Sequence, residues 1–231
     1  MPRSPYPESV RIEGPAGALE TILEEPEPGA ALSFAVICHP HPLHGGTLAN
    51  KVVTTLARAL QERGVPTLRF NFRGVGASEG SFAGGVGEID DALSVIAWGK
   101  ERWPGATPCI LGFSFGAMIA LAAATRVQAR LLVTVAPPIA RAPSAPPIER
   151  APGIEQIARA SLAPGCPWLV VQGDGDEIVD SAAVLAWAAK QEPAPTIRVL
   201  PGAGHFFHGR LSELRELVVQ FIEKAGVAAW S

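Results

Sequence analysis

The chain has 231 residues, of which 48% are hydrophobic, and this length and composition fit one large domain with an apolar core. Its formal net charge of −3 and its pI near 6.0 give no basic excess that could attract nucleic acid or an anionic membrane. The first residues lack the apolar segment of a signal peptide, so a cytoplasmic protein is expected. Cys38, Cys109 and Cys166 are widely spaced, which indicates reduced thiols rather than a disulfide framework.

Short apolar runs rich in β-branched residues alternate with longer segments whose apolar positions recur every three or four residues. This alternation predicts an α/β fold with a parallel sheet, and the absence of a linker or repeat in the sequence predicts a single domain over residues 1–231. Strands are predicted at residues 8–13, 17–25, 33–38, 65–72, 108–113, 130–136, 168–174 and 196–200. Helices are predicted at residues 47–63, 86–102, 114–125, 181–191 and 210–225.

One segment interrupts the alternation. Residues 137–165 are rich in proline and alanine and hold a single short predicted helix near 154–162. Such a composition is typical of a surface loop or small excursion. We therefore expect this excursion in place of a lid, with no large insertion over the sheet.

The pentapeptide GFSFG at 112–116 lies at a predicted strand-to-helix junction, the context in which a G-x-S-x-G motif presents a nucleophilic serine. Glycines at both ends let strand and helix backbones approach closely around Ser114. The first N–H groups of the helix favour nearby negative charge, so the N–H of Phe115 is a natural oxyanion donor. The simpler alternative is that Ser114 only caps the helix.

A base and an acid follow this serine in the order that the same geometry requires. Asp176 comes directly after the strand at 168–174, and His205 directly after the last strand. Because chemistry in α/β sheets gathers at the carboxyl ends of strands, we expect Ser114, Asp176 and His205 to form a catalytic triad. Nearby rivals are less suitable, since Asp180 is better placed to cap the next helix and His208 lies beyond two phenylalanines.

The sequence resembles the α/β-hydrolases, and in particular the small bacterial members with little or no lid. The resemblance rests on GFSFG at 112–116, HPHPLHGG at 39–46, NKV at 50–52 and NFRGVGASEG at 71–80, and it spans residues 8–225. It implies a mostly parallel eight-stranded sheet with helices on both faces, and a carboxylesterase-like serine hydrolase that uses the triad above. One departure is His44, where an aromatic residue is commoner in the family.

In this family the loop after the third strand supplies the second oxyanion N–H. Pro40 and Pro42 have no N–H to give, so the resemblance leaves His41 and Leu43 as donors, and the glycines beyond favour Leu43 slightly. Side chains expected around the substrate pocket are His44, Phe82, Phe113, Met118 and Phe206.

Three alternatives compete with this interpretation. A metal-dependent hydrolase would use the histidines of HPHPLH, but position 43 is leucine where a dinuclear motif needs aspartate. A nucleotide-binding loop at 74–79 would need a third glycine at position 79, which is Glu79. An inactive α/β-hydrolase that serves as a binding module would retain the same fold. His39, at the end of a buried strand, is expected to be a hydrogen-bonded structural residue.

The predicted reaction is hydrolysis of small carboxylic esters with short acyl chains through an acyl-enzyme on Ser114. The short excursion at 137–165 predicts an open site, and no metal or other cofactor is expected. The expected partner is a small-molecule ester, not nucleic acid or membrane, and the chain is expected to be a monomer or a homodimer.

Overall fold

The computed structural model describes residues 7–26, 31–145, 151–160 and 162–227. Its strands are β1 (Glu8–Gly14), β2 (Gly17–Glu24), β3 (Ser33–Cys38), β4 (Thr67–Phe70), β5 (Thr107–Phe113), β6 (Leu131–Val135), β7 (Trp168–Gly173) and β8 (Thr196–Leu200). Its helices are α1 (Lys51–Gln61), α2 (Gly87–Arg102), α3 (Phe115–Ala124), α4 (Pro152–Arg159), α5 (Ser181–Ala188) and α6 (Leu211–Lys224), and a short 3₁₀ helix spans Pro42–His44.

The strands form one eight-stranded sheet in the order β1-β2-β4-β3-β5-β6-β7-β8. β2 pairs antiparallel with β1 and with β4, and all the other neighbours are parallel. The predicted α/β class and the mostly parallel eight-stranded sheet are therefore confirmed. The reversal of strand order at β3, β4 and β5 opens a crevice at their carboxyl ends, where ligands of such sheets bind.

Helices cover both faces of the sheet, which explains why the central strands are continuously apolar. α1 and α6 pack on one face, against side chains such as Ile37, Leu111 and Val133. α2, α3 and α5 pack on the other face, against side chains that include Val36 and Ile110. All ten residues of α3 are buried, so the helix that follows the GFSFG motif is held firmly in the core.

The connection between β6 and β7 differs from the prediction in its details. Its helix, α4, runs from Pro152 to Arg159, about two residues earlier than predicted, because proline is favoured in the first turn of a helix. Residues 140–142 run antiparallel to 178–180, with Ala142 N–H bonded to Ile178 O and Asp180 N–H bonded to Ala140 O. Residues 146–150 and 161 of the predicted excursion lie outside the described residues. In the described part, this connection holds α4 rather than a large lid.

The structure also describes the apolar helices and the cysteines. Among the described residues, no helix combines the length and the apolar character that crossing a membrane requires. The cysteines are free thiols, with Cys38 and Cys109 buried in the core and Cys166 half-buried.

Candidate active site

Ser114 lies on a sharp turn between β5 and α3, with φ of 53° and ψ of −121°. These angles belong to a region that glycine adopts readily and other residues adopt only under strain. The two motif glycines make the turn sterically feasible. A Cβ on Gly112 would overlap the carbonyl oxygen of Gly116, and a Cβ on Gly116 would overlap the carbonyl oxygens of Cys38 and His39. The turn therefore packs directly against the end of β3.

His205 and Asp176 stand in line with this serine. The Nε2 of His205 lies 3.1 Å from Ser114 Oγ, and its Nδ1 lies 2.9 Å from Asp176 Oδ2. Both distances are within hydrogen-bonding range. His205 is 3% exposed and Ser114 is 9% exposed, so the chain of hydrogen bonds is shielded from water except near the serine hydroxyl. The structure thus brings together the three residues expected from the sequence.

The Asp176 carboxylate is held by several donors besides His205. Oδ1 accepts the backbone N–H groups of Ile178 and Val179 at 2.9 and 2.8 Å, and Oδ2 accepts the side-chain amide of Gln172 at 3.0 Å. Burial alone would raise the pKa of Asp176, but the His205 ring and the N–H groups of Val179 and Ile178 together lower the pKa below its ordinary value. Asp176 is therefore stabilised as an anion that can hold an imidazole in one tautomer.

Two residues that sequence reasoning did not single out support this arrangement. Gln172 is fully buried and precedes the last residue of β7, so its amide reaches Asp176 from within the sheet. Glu177 accepts the backbone N–H of His205 at 3.0 Å and thereby links the acid-bearing loop to the histidine-bearing loop. A polar residue near the end of a buried strand was the available signal for Gln172. Glu177 follows Asp176 directly, and nothing in its spacing predicts its partner.

The helix-capping prediction for Asp180 agrees with the structure. Its side chain accepts the N–H of Ala183 at 3.1 Å in the first turn of α5. Asp174 lies near the loop after β8, where it accepts the N–H of Gly202. Of the three aspartates Asp174, Asp176 and Asp180, Asp176 is therefore the one whose carboxylate bonds the His205 ring.

The loop after β3 contains both candidates for the second oxyanion donor. The N–H of Leu43 donates to Nδ1 of His41 at 3.3 Å, and the Leu43 side chain is 53% exposed. His41, in contrast, is buried and lines the cavity next to Ser114. Phe115 is the first residue of α3, so its N–H has no acceptor within the helix. Phe115 and His41 both line the cavity beside Ser114, whereas the Leu43 N–H is bonded to the His41 ring.

The histidines of HPHPLH have different surroundings. His39 is fully buried and hydrogen-bonds Phe72 N–H and the carbonyl oxygen of Pro40, in agreement with the structural role expected for it. The rings of His41 and His44 contact each other with centroids 4.7 Å apart. Within the described ranges, no three His, Cys, Asp or Glu side chains come together in a group that could hold a metal ion.

The loop after β4 is held in place next to the site by buried charged side chains. Arg73 forms an ion pair with the fully buried Asp91 at 2.6 Å, and the buried Glu88 accepts the N–H groups of Ala83 and Gly85. These contacts hold the loop that carries Phe82. The glycines at 74 and 76 belong to this turn, and Glu79 accepts the N–H of Ala18 in β2. The turn is thus closed against the sheet, which is unlike an open phosphate-binding loop.

A cavity of about 610 Å³ opens beside Ser114. Of the expected pocket residues, His44 and Phe206 line it. Met118 and Phe113 are fully buried behind the site, where the Phe113 ring contacts His205, and Phe82 packs against the rings of His41 and Phe115. The remaining walls come from three segments: the loop after β3 (Pro40, Gly45, Gly46 and Asn50), the excursion expected in place of a lid (Pro138, Ile139, Ala140, Arg141, Ala151, Ile154 and Glu155), and the residues after Asp176 (Ile178 and Val179).

Comparisons with known proteins agree with this fold. A family model described as serine aminopeptidase, S33, matches residues 41–164. An uncharacterized protein of Rickettsia prowazekii is 32% identical over 222 residues, which cover 92% of this chain and 87% of that protein.

Two solved structures are similar over nearly their whole length. An α/β serine hydrolase homologue from Coxiella burnetii has a TM-score of 0.82 and 44% identity, covering 92% of this chain and 96% of its own. A serine hydrolase without a lid from Xanthomonas campestris has a TM-score of 0.81 and 38% identity, covering 94% of each chain. Because the family model matches more than half of the chain and the fold is shared over nearly all of it, the protein belongs to the serine aminopeptidase S33 family of α/β-hydrolases.

Proposed function

We propose that this hydrolase cleaves small carboxylic esters through an acyl-enzyme on Ser114. The observation that carries the proposal is the continuous line of hydrogen bonds from Ser114 through His205 to Asp176, which ends beside a cavity. A serine hydroxyl is weakly nucleophilic at neutral pH, and an adjacent imidazole held by a carboxylate activates it. The similarity to the serine hydrolases of Coxiella burnetii and Xanthomonas campestris supports the same chemistry.

In the proposed mechanism, Ser114 Oγ attacks the ester carbonyl while His205 Nε2 takes the hydroxyl proton. Asp176 holds Nδ1–H of His205, which keeps the basic nitrogen facing the serine and stabilises the imidazolium that forms. His205 then protonates the leaving alcohol. Water attacks the acyl-enzyme by the same sequence of proton transfers and releases the acid.

The negative charge of each tetrahedral intermediate requires donors near Ser114. We assign this role to the backbone N–H groups of Phe115 and His41. Leu43 is the weaker candidate, because its N–H already donates to the His41 ring and its side chain faces solvent. Such donors stabilise the oxyanion more than the ground-state carbonyl and therefore accelerate the chemical step.

The cavity supports a small substrate. Its volume of about 610 Å³ lies within the usual range of small-molecule sites, and the acyl and alcohol parts of an ester must share it. Much of its wall is apolar, with Ile139 on one segment, Ile154 on α4 and Val179 near the acid. We therefore propose short acyl chains, and faster turnover of decanoyl than of butyryl esters would contradict this preference.

The decisive experiment compares the wild type with Ser114→Ala on p-nitrophenyl acetate and butyrate, together with fluorophosphonate labelling and peptide mass mapping. Burst release and an adduct on Ser114, both lost in the variant, are the expected results. No turnover and no adduct would instead favour the inactive binding module. An aminoacyl p-nitroanilide belongs in the same assay, because the matching family model is described as a serine aminopeptidase. Preference for the anilide would contradict the ester assignment but retain the role of Ser114.

A further inference from the structure

His39 is a fully buried histidine at the end of β3 that the proposed triad does not use. Its Nε2 lies 3.0 Å from the backbone nitrogen of Phe72, and its Nδ1 lies 2.6 Å from the carbonyl oxygen of Pro40. A backbone N–H can only donate and a carbonyl oxygen can only accept. Nε2 must therefore be unprotonated and Nδ1 must carry the proton of a neutral ring. The two hydrogen bonds thus fix both the tautomer and the orientation of the ring.

The hydrogen bond to Pro40 also fixes the direction of the next N–H group. The peptide between Pro40 and His41 is planar and trans, so the Pro40 carbonyl and the His41 N–H point in opposite directions. Because the His39 ring holds the carbonyl on its own side, the His41 N–H points away from the ring. His41 itself lines the cavity beside Ser114.

The backbone of His39 also contacts the other half of the site. The first turn of α3 lies so close to the carbonyl oxygens of Cys38 and His39 that only glycine fits at position 116. Phe115, whose N–H is the other proposed donor, packs its ring against Phe72 with centroids 5.8 Å apart. The His39 ring contacts the same Phe72 ring at 4.6 Å. His39 thus contacts both segments that carry the proposed oxyanion donors, the loop after β3 and the start of α3.

We propose that His39 is a positioning residue of the oxyanion hole, whose ring orients the Pro40–His41 peptide so that the His41 N–H faces the developing oxyanion. This role rests on the proposed function, since it requires acyl transfer at Ser114. A donor that stabilises the transition state more than the bound ester changes kcat and leaves KM nearly unaltered. We therefore expect a defect in His39 to appear mainly in kcat.

Two matched variants separate the two hydrogen bonds of the ring. In His39→Asn the side-chain amide is attached to Cγ, as Nδ1 is, and can still donate to the Pro40 carbonyl. In His39→Gln the amide lies one bond further out, near the place of Nε2, and can satisfy Phe72 N–H without holding Pro40. Asn is one methylene smaller than Gln and loses more packing at this buried position, so a larger kcat defect in His39→Gln cannot come from lost packing.

The test measures kcat and KM for p-nitrophenyl butyrate, urea unfolding and fluorophosphonate labelling of Ser114 in the wild type and both variants. We expect His39→Gln to lower kcat roughly 10- to 100-fold with KM within about threefold, and His39→Asn to retain most of the activity. In the wild type, nitrogen-15 NMR is expected to place the His39 proton on Nδ1.

Three outcomes would overturn the proposal, and they are distinguishable. Wild-type rates in both variants, with Ser114 labelled, would remove the role of His39 and leave the proposed function intact. Equal losses of kcat in both variants that follow their losses of stability would assign His39 a structural role only. A wild type that neither turns over the ester nor labels Ser114 would overturn the proposed function, and the positioning role with it.

Discussion

The backbone at Ser114 should store measurable strain. Its φ of 53° and ψ of −121° match the first central position of a type II′ turn, which glycine dominates. A non-glycine residue in such a region costs roughly 1–3 kcal/mol, and the angles here correspond to the upper part of that range. Ser114→Gly should release this strain, whereas Ser114→Ala should retain it.

The expected difference between the two variants can be worked out, because both lose the hydroxyl and its hydrogen bond to His205. From about 2.5 kcal/mol of strain, we subtract about 0.7 kcal/mol for the freedom of glycine in the unfolded chain. We also subtract about 0.8 kcal/mol for the buried methyl group that alanine keeps. Ser114→Gly should therefore be about 1 kcal/mol more stable than Ser114→Ala, and its Tm about 2–4 °C higher.

Urea unfolding followed by fluorescence suits this comparison, since the chain contains five tryptophans. Both variants should lack ester hydrolysis, so the stability difference is independent of turnover. Equal stabilities, or a less stable Ser114→Gly, would show that the surrounding contacts accommodate the turn without strain.

Three more predictions concern the groups around the site. His41→Pro removes one N–H at a φ of −52°, which proline tolerates, so kcat for p-nitrophenyl butyrate should fall about 10²–10³-fold below that of His41→Ala; equal rates would assign the oxyanion to another donor. Asp91→Asn leaves the Arg73 guanidinium without its buried partner and should lower the urea-derived free energy of unfolding by about 3 kcal/mol. Asp90→Asn, at a half-exposed neighbour, should cost under about 1 kcal/mol, and similar losses in both variants would contradict the argument. Burial lowers the pKa of His39 from 6.5 to about 4, so the unfolded chain takes up this proton first as the pH falls. Stability should then decrease by about 3 kcal/mol more between pH 6.5 and pH 4 in the wild type than in His39→Gln, and parallel pH profiles from urea unfolding would refute this.

The residues of the candidate triad could be located from the sequence because each follows a recognisable strand. Ser114 follows β5, Asp176 follows β7 and His205 follows β8, and the carboxyl ends of parallel strands meet at one edge of the sheet. The predicted ends of helices and strands were less accurate where a side chain forms hydrogen bonds with the backbone. α1 begins at Lys51 rather than at 47, because Asn50 accepts the N–H groups of Val52 and Val53 and caps the helix there.

The loop after β3 shows that residue types alone leave the choice of oxyanion donor undetermined. From the sequence only the prolines could be excluded as donors, and Leu43 was favoured slightly because Gly45 and Gly46 follow it. In the structure the Leu43 N–H bonds the His41 ring nitrogen, a local contact that depends on the side-chain rotamer and has no signature in the spacing. The strand at 65–72 was overextended for a related reason. β4 ends at Phe70, and the N–H of Phe72 donates to His39 instead of continuing a ladder.

The residues of the 137–165 excursion that line the cavity could not be predicted individually, because the cavity walls join segments that are distant in the chain. Arg141 forms a bridge with Val179, which brings the connection after β6 against the loop that carries Asp176. On the opposite side, Gly153 N–H donates to Gly84 O and anchors α4 to the loop after β4. No periodicity links these positions, so their proximity depends on tertiary packing alone.

The site therefore divides into two parts that are held in different ways. The proposed reacting groups are fixed by contacts that leave little freedom: the turn at Ser114, the backbone N–H groups that donate to Asp176, and the His205 backbone N–H that donates to Glu177. The substrate walls at Ile139 and Ile154 are apolar side chains on the β6–β7 connection, away from these hydrogen bonds. Substitutions at those walls can change the volume of the cavity without moving the reacting atoms. The connection after β6 is therefore the place to alter substrate preference without disturbing the chemistry proposed at Ser114.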